Sequence, residues 1–290
     1  MTSTLTAVLD GTELAREIRT YAAAAAAELT ASGTPPRLAV VVATDDESSA
    51  WYVRSIAGAA ARTGIRCEIV DLGPDVGPER IRAALRTLSA DAAVHGIVLQ
   101  TPLPPDASSE DLADAIDPDK DVDGANPLSL GRLAAGLPAF APATAAAVLA
   151  LLDHHGIPLS GRKATVVGRS TVVGKPAAQL LLQRDATVTI CHRHTKDLAE
   201  LTRPAEVLVV AVGRAGLITA EHVAPDAVVI DVGTNPTPDG ALVGDVDEAS
   251  VAGRVAGLTP VPGGVGPVTT ALLLEHTVRS AARTRAEENP

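Results

Sequence analysis

Aromatic side chains are nearly absent from this chain, which has one Trp, one Phe and two Tyr among 290 residues. Hydrophobic residues nevertheless make up 46% of the sequence. The core must therefore be built from Ala, Val, Leu and Ile. A chain of this length can bury a substantial core, in one large domain or in two ordinary ones.

Three further scarcities each exclude a class of protein. The only two cysteines, Cys67 and Cys191, are far apart, which argues against a disulfide framework and favours a reducing, cytoplasmic location. No run of about 20 apolar residues occurs, so we expect no membrane span. The formal net charge of −11 excludes binding of nucleic acid through a broad basic surface, but it leaves room for a small basic pocket for an anionic cofactor.

Short apolar runs rich in Val and Ile recur along the chain, and most are continuous rather than alternating. This pattern is typical of strands buried on both faces of a parallel sheet. The predicted strands are residues 38–42, 67–72, 96–99, 164–167, 187–191, 207–212 and 227–232. The predicted helices are residues 49–63, 78–89, 109–116, 144–155, 175–183 and 196–202. Strand and helix alternate, which predicts an α/β fold with crossover helices.

The alternation breaks at residues 101–142, which contain seven prolines. This stretch is too long and too rich in proline for an ordinary connection between a strand and a helix. We interpret it as a loop and a domain boundary, with a cleft nearby.

A phosphate-binding turn is predicted after the strand that ends at residue 167. Gly168 permits a tight turn, Gly174 lets the next helix pack close to the strand, and free N–H groups at the helix start can hold a pyrophosphate. The spacing Gly-x-Ser-x-x-x-Gly differs from the usual Gly-x-Gly-x-x-Gly. Taken alone, the motif is equally typical of a plain strand–turn–helix connection.

The end of the next strand indicates which dinucleotide would bind. NAD-binding proteins usually place an acidic residue there for the ribose 2′-hydroxyl, whereas an arginine suits the 2′-phosphate of NADP. This strand ends at His192-Arg193-His194, and Arg169 lies in the preceding turn. NADP is therefore favoured over NAD. We predict no metal site at the two histidines, which are typical of a polar strand end.

Four other segments are unusual only in combination. Each by itself is typical of a capped helix, a strand end, an Asx-type turn or a rigid turn. In this order they resemble the bifunctional methylenetetrahydrofolate dehydrogenase/methenyltetrahydrofolate cyclohydrolase (FolD) family, from about Leu9 to Val278. The segments are Ser-Ser-Ala-Trp-Tyr-Val at 48–53, Gly-Ile-Val-Leu-Gln-Thr-Pro-Leu-Pro at 96–104, Lys-Asp-Val-Asp-Gly at 120–124 and Pro-Val-Pro-Gly-Gly-Val-Gly-Pro-Val-Thr at 260–269.

The resemblance implies two α/β domains that flank a cleft, of which the C-terminal one is Rossmann-like. It implies a folate-binding catalytic domain at residues 1–138 plus 268–290 and an NADP-binding domain at residues 139–267. It also implies a homodimer, NADP as cofactor and a one-carbon derivative of tetrahydrofolate as substrate. The implied reaction is oxidation of 5,10-methylenetetrahydrofolate to the methenyl form.

The same resemblance implies roles for individual residues. Tyr52 would stack on the folate ring system, Gln100 would lie beside the reacting carbon, and Asp123 would bind the pterin. The substrate contacts implied are Ser49, Tyr52, Gln100, Asp123, Gly263, Gly264 and Pro267, the last three in a loop that closes over the folate. The cofactor contacts implied are Gly168, Arg169, Ser170, Gly174, Arg193, Val212, Gly213 and Thr234.

One position departs from the family pattern in a way that affects the chemistry. The family helix reads Tyr-Val-x-x-Lys, with the lysine as its main catalytic group, but here the lysine position holds Ile56. Hydride removal moves no proton, whereas hydrolysis of the methenyl cation requires water to be deprotonated. A buried amine can do this and Ile cannot, and such assistance is worth about 10²–10⁴-fold in rate. We therefore predict a weak or lost cyclohydrolase.

No neighbouring residue is a good replacement for the lysine. Arg54 lies on a different helix face and its guanidinium stays protonated, and Lys120 is expected to be structural. Other interpretations stay open: a specialised paralogue that needs a second substrate, a fully bifunctional enzyme, or a non-catalytic protein that binds folate or NADP. A different two-domain dehydrogenase would leave Gln100 and the Lys-Asp-Val-Asp-Gly segment unexplained.

Overall fold

A computed structural model describes residues 6–288, which form two compact units. The six-stranded unit comprises the chain up to Ala15 and Thr144–Thr269, and the three-stranded unit comprises Arg16–Ala143 and the chain from Thr270 onward. The strands are β1 (Ala7–Val8), β2 (Arg37–Val42), β3 (Arg66–Asp71), β4 (Gly96–Leu99), β5 (Lys163–Val167), β6 (Thr187–Cys191), β7 (Val207–Val210), β8 (Val228–Asp231), β9 (Asn235–Pro236), β10 (Leu242–Val243) and β11 (Gly257–Leu258). The α-helices are α1 (Thr12–Ala31), α2 (Glu47–Arg62), α3 (Pro78–Ala90), α4 (Ser109–Ala113), α5 (Pro127–Ala134), α6 (Ala143–His154), α7 (Gly174–Leu182), α8 (Leu198–Thr202), α9 (Glu248–Val251) and α10 (Val265–Glu288).

The six-stranded unit is built on a parallel sheet in the order β1-β11-β8-β7-β5-β6. Its central strands β7 and β8 are buried along their whole length. Burial on both faces explains why their sequences are continuous apolar runs. β9 and β10 form a separate antiparallel pair.

The three-stranded unit has the order β3-β2-β4, again with every pair parallel. β2 is buried except at Arg37, and hydrophobic clusters cover the two faces of this sheet. β3 lies at an edge, where Ile69 is 44% exposed. The fold class predicted from the sequence, two α/β units with parallel sheets, is confirmed.

The proline-rich stretch contains a helix that the sequence pattern did not predict. α5 begins at Pro127, and the Asn126 side chain caps it by accepting a hydrogen bond from the Leu128 N–H at 2.7 Å. Proline fits the first turn of a helix because its missing N–H would have no partner there. Apart from the helix predicted at residues 109–116, the stretch was interpreted as a loop, and that interpretation was wrong at Pro127–Ala134.

The N-terminal segment also differs from the implied domain division. β1 pairs with β11, so residues 6–15 belong to the six-stranded unit and not to the domain predicted at residues 1–138. Residues 1–5 of that prediction lie outside the described part of the chain. The units change at Ala143/Thr144 and Thr269/Thr270, a few residues after the predicted changes at 138/139 and 267/268.

Two glycines allow helix α7 to begin against the end of β5. Gly168 has a φ of +134°, and a Cβ on it would overlap the carbonyl oxygen of Ala211. A Cβ on Gly174 would overlap the backbone of Gly168 and Arg169. These geometric roles match the prediction for both glycines. Within the described residues, no helix combines the length and the apolar character needed to cross a bilayer.

We expect Gly174→Ala to destabilise the six-stranded unit by several kcal/mol, because its methyl group has no space without movement of the Gly168 turn. The matched control is Gly131→Ala in α5, where a Cβ meets nothing within 4 Å and helix propensity predicts a gain of about 0.5–1 kcal/mol. Urea denaturation of both variants measures the difference. Equal stability of the two variants would contradict the close packing of α7.

Candidate active site

The start of α2 and the end of β4 meet at the carbonyl oxygen of Thr101. The Asp46 side chain caps α2 by accepting the Ser49 N–H at 2.7 Å. The Ser49 hydroxyl donates to Thr101 O at 3.2 Å, and the Gln100 side-chain N–H donates to the same oxygen at 2.6 Å. These bonds use the hydroxyl donor of Ser49 and one of the two N–H donors of Gln100 within the protein. The side-chain carbonyl of Gln100 is left as its acceptor.

Tyr52 lies almost one turn after Ser49 on α2 and is partly buried. Its phenol hydrogen-bonds the side chain of Thr270. Burial, with the nearby negative charge of Asp123, raises the pKa of Tyr52 to about 12. The phenol therefore stays protonated at neutral pH, and its ring is an apolar surface beside the Asp123 carboxylate.

Two carboxylates in the Lys-Asp-Val-Asp-Gly segment have different environments. Asp121 is fully buried and accepts the N–H groups of Ala125 at 3.1 Å and Asn126 at 2.7 Å. Burial raises its pKa to about 6, although these hydrogen bonds oppose the shift. The carboxylate of Asp123 accepts no hydrogen bond from the described part of the chain. Burial and the charge of Asp121 raise the pKa of Asp123 to about 7.

Ile56 follows Tyr52 by one turn of α2 and is fully buried. It belongs to an apolar cluster that also contains Val53, Val122 and Leu273, and Tyr52 packs against the same cluster. The lysine nearest in sequence, Lys120, is the only lysine of the three-stranded unit. Its ammonium donates to the carbonyls of Ser89 and Asp91 at 2.7 and 2.8 Å, which is the structural role predicted for it.

The predicted phosphate-binding turn lies in the six-stranded unit. Ser170 Oγ accepts the N–H groups of Val173 and Gly174 at 3.2 and 3.3 Å, and Ser170 O accepts that of Lys175. The prediction of free N–H groups at this helix start was therefore wrong for these three, because Ser170 caps them. Arg169 and Arg193 are both exposed, so their charges face solvent.

The Val212–Gly213 turn is held by a buried carboxylate that sequence reasoning missed. Asp245 accepts the N–H groups of Val212 at 2.7 Å, Gly213 at 3.0 Å and Arg214 at 2.8 Å. It also accepts the side-chain amide of Asn235 at 2.9 Å. This turn ends β7 at Val210, two residues before the predicted end.

A second buried carboxylate supports Asp245. Asp231 accepts the N–H groups of Gly233, Asp245 and Val246 at 2.9 to 3.0 Å. Burial raises the pKa of Asp231 to about 6. Thr234 is exposed immediately beyond this bend. The sequence signal that could have identified Asp245 was its place as an acidic residue in an otherwise apolar run, Val-Gly-Asp-Val at 243–246.

The predicted substrate loop also lies in the six-stranded unit. Gly263 has a φ of +114°, and its carbonyl accepts the Gly11 N–H at 2.9 Å. The Gly264 N–H donates to Pro260 O, and Pro267 lies in the first turn of α10. The structure thus brings Ser49, Tyr52, Ile56, Gln100 and Asp123 together in the three-stranded unit, whereas the predicted cofactor contacts and this loop belong to the other unit.

Comparison with known families matches both parts of the chain. Residues 9–123 match the tetrahydrofolate dehydrogenase/cyclohydrolase catalytic domain, and residues 142–285 match the NAD(P)-binding domain of the same family. The chain belongs to the tetrahydrofolate dehydrogenase/cyclohydrolase family. The family resemblance stated from the sequence motifs is confirmed, and the chain is a member of an enzyme family.

Similar proteins of this family extend over almost the whole chain. The bifunctional protein FolD 1 of Saccharopolyspora erythraea is 76% identical over 278 residues, which are 96% of this chain and 95% of that protein. The crystal structure of the bifunctional FolD methylenetetrahydrofolate dehydrogenase/cyclohydrolase from Campylobacter jejuni has a TM-score of 0.93 and 39% identity, covering 96% of this chain and 99% of that one. FolD from Trypanosoma brucei, complexed with NADP and an inhibitor, has a TM-score of 0.92 and 36% identity, covering 97% and 98%.

Family membership does not test the role of any single residue, so each ligand contact stays a prediction. Ser49, Tyr52, Gln100 and Asp123 lie on the elements that the tetrahydrofolate dehydrogenase/cyclohydrolase motifs would use. Asp123 stands out among them, because its carboxylate is shielded from solvent on most sides and has no hydrogen-bond donor in the described residues. It is therefore the group whose charge the protein stabilises least.

We expect Asp123→Asn to stabilise the protein more at pH 8 than at pH 5. The folded-state pKa of Asp123, about 7, lies above the ordinary value of 3.8, so the fold favours the protonated carboxyl. That stabilisation is complete below about pH 4 and is lost as the pH rises through about 7. The difference in melting temperature between variant and wild type should therefore grow with pH. The control is Asp75→Asn at an exposed carboxylate, and a pH-independent difference for Asp123→Asn would contradict the expected shift.

Proposed function

We propose that this protein oxidises 5,10-methylenetetrahydrofolate to 5,10-methenyltetrahydrofolate with NADP, and that it hydrolyses the product slowly. The observation that carries the slow hydrolysis is that, among the described residues of the three-stranded unit, no free amine lies beside Tyr52 and Asp123. The lysine position of the family motif holds the buried Ile56, and both hydrogen bonds described for Lys120 anchor it elsewhere. Family membership supports the oxidation.

The oxidation needs positioning and no acid or base. One C–H bond of the methylene bridge would break with loss of a hydride, and the product would be a delocalised cation. NADP, when bound, supplies the hydride acceptor. The chain's part is to hold the folate, with the Tyr52 ring as an apolar surface and the ionised Asp123 as acceptor for pterin N–H groups. The side-chain carbonyl of Gln100, which follows β4, is a further group that can accept a hydrogen bond from the folate.

NADP rather than NAD is supported by charge. The chain after β6 has Arg193 and no acidic residue among its first positions, and Arg169 follows Gly168. Both guanidinium groups are exposed and available to a 2′-phosphate. The Trypanosoma brucei relative is complexed with NADP.

Hydrolysis differs because a proton must leave the attacking water and another must reach the departing ring nitrogen. Tyr52 and Cys67 pack against the apolar cluster that contains Ile56, and Asp123 lies near Tyr52. Burial raises the pKa of the Cys67 thiol to about 11, so this thiol stays protonated at neutral pH. The phenol stays protonated at neutral pH, and the carboxylate is the proposed pterin contact. We propose that none of these groups replaces an amine. The second candidate is a fully bifunctional enzyme, which is favoured by the name of the relative that is 76% identical.

The test follows NADPH, methenyl and 10-formyl products separately, with wild type and Ile56→Lys. We expect wild type to form NADPH and accumulate the methenyl product, and Ile56→Lys to hydrolyse it up to about 10²-fold faster. Ile56→Met, which is long and unbranched but has no amine, is the matched control. A reaction without enzyme measures spontaneous hydrolysis.

Each contrary outcome identifies another candidate. Enzyme-dependent 10-formyl product from wild type, formed as fast as NADPH, would show a bifunctional enzyme. NADPH formation only after addition of a second substrate would indicate a specialised paralogue. Binding of folate and NADP without NADPH formation would indicate a non-catalytic protein.

We also propose that the protein is a homodimer that pairs through the edge of the three-stranded sheet. β3 is a six-residue strand with partners on one side only among the described residues. Ile69 is 44% exposed on it. Unpaired N–H and C=O groups beside an exposed apolar side chain favour association with a second strand.

We expect wild type to elute at twice the mass of the 29.4-kDa chain and Ile69→Lys to shift toward the monomer. Ile190→Lys is the matched control, since Ile190 is also 44% exposed on an edge strand, β6. Light scattering after size exclusion measures both. Dissociation by Ile190→Lys and not by Ile69→Lys would place the interface on the six-stranded unit instead.

A further inference from the structure

Helix α10 makes hydrogen bonds to two backbone carbonyls in the segment that contains Asp123. Ser280 Oγ donates to Asp119 O at 2.7 Å. His276 Nδ1 lies 2.8 Å from Val122 O, one peptide bond before Asp123. Because a carbonyl oxygen only accepts hydrogen bonds, Nδ1 must carry the proton.

Three contacts hold the backbone around the Val122–Asp123 peptide, and the first is the hydrogen bond from His276 to Val122 O. The Val122 side chain is fully buried in the cluster that contains Ile56. The carbonyl of Asp123 accepts the Ala143 N–H at 3.2 Å. Since the Asp123 carboxylate accepts no hydrogen bond from residues 6–288, its position depends on the backbone contacts on either side of it.

The surroundings of His276 keep its ring neutral and in place. The centroid of the His276 ring lies 4.9 Å from that of Phe140. The Cζ atoms of Arg283 and Arg279 lie over the same Phe140 ring, 4.8 and 5.7 Å from its centroid. Burial, with those two positive charges, lowers the pKa of His276 to about 4. Glu275 is the carboxylate facing Nε2, at 3.7 Å, which is longer than a hydrogen bond.

We propose that His276 is a positioning residue, whose Nδ1–H holds the Val122 carbonyl and so places the Asp123 carboxylate for the folate ring. The proposal rests on the proposed function, because it takes Asp123 as the pterin contact. His276 lies on α10, outside the four motif segments that resemble the family. It thus sets the position of Asp123, which belongs to one of those segments. His276 itself touches neither substrate nor cofactor in this scheme.

The test compares two amides that place their N–H groups differently. His276→Asn keeps a donor close to the Nδ1 position, whereas His276→Gln moves it toward the Nε2 position. Both remove the ring that packs on Phe140, so both should lower the melting temperature. We expect His276→Gln to weaken binding of 5-formyltetrahydrofolate by about tenfold and His276→Asn to stay near wild type, since one hydrogen bond is at stake. Calorimetric titration measures this, and KM for NADP should not change.

The pH dependence of binding gives a second readout that a purely structural role would not move. In wild type, affinity for 5-formyltetrahydrofolate should rise as Asp123 ionises near pH 7, and His276→Gln should displace that midpoint while His276→Asn should not. If both variants bind like wild type, or both lose affinity equally, the proposal is overturned and the ring acts only through packing. Failure of wild type to bind the folate would overturn the proposed function as well, and this is measured first.

Discussion

Buried carboxylates that accept backbone N–H groups hold the loops at the ends of both parallel sheets. Asp121 does this in the three-stranded unit, and Asp231 and Asp245 do it in the six-stranded unit. A bent loop cannot satisfy its own N–H groups as a helix or sheet does, and a buried N–H without a partner is costly. One carboxylate that accepts three N–H groups provides a hydrogen-bond acceptor for the N–H donors of a whole turn. The predicted ligand contacts Asp123, Val212 and Gly213 lie in turns that such carboxylates hold.

The same device explains the contrast between Asp121 and Asp123. Two acidic residues are separated by one valine, but only the fully buried Asp121 receives backbone N–H groups from the described residues, whereas Asp123 is partly exposed. The oxygens of Asp123 remain able to accept hydrogen bonds from a ligand. Because they have no such bonds within the described residues, ionisation of this carboxylate destabilises the fold. Instability at such a position is typical of functional sites, where a group is arranged for a ligand rather than for the fold.

The sequence pattern predicted the longer strands within two residues, because strands buried on both faces, such as β7 and β8, are continuous apolar runs. It missed β1 and β11, which have two residues each and no periodicity. It missed α5 because proline was interpreted only as a breaker. The hydrogen bonds of Asp245 join residues about 30 positions apart, a separation that no local pattern reveals. Tyr52 and Asp123 were placed together only through the family resemblance, and His276 had no signal at all.

The shortage of lysine has a further chemical consequence. A methylene group bridging two folate nitrogens is chemically equivalent to bound formaldehyde, and a lysine amine captures formaldehyde as a Schiff base. In the three-stranded unit the only lysine amine is that of Lys120, which two carbonyls already hold. Lys163, Lys175 and Lys196 are exposed in the other unit. Lysine adducts of a released one-carbon group would therefore form on the six-stranded unit rather than beside Tyr52 and Ile56.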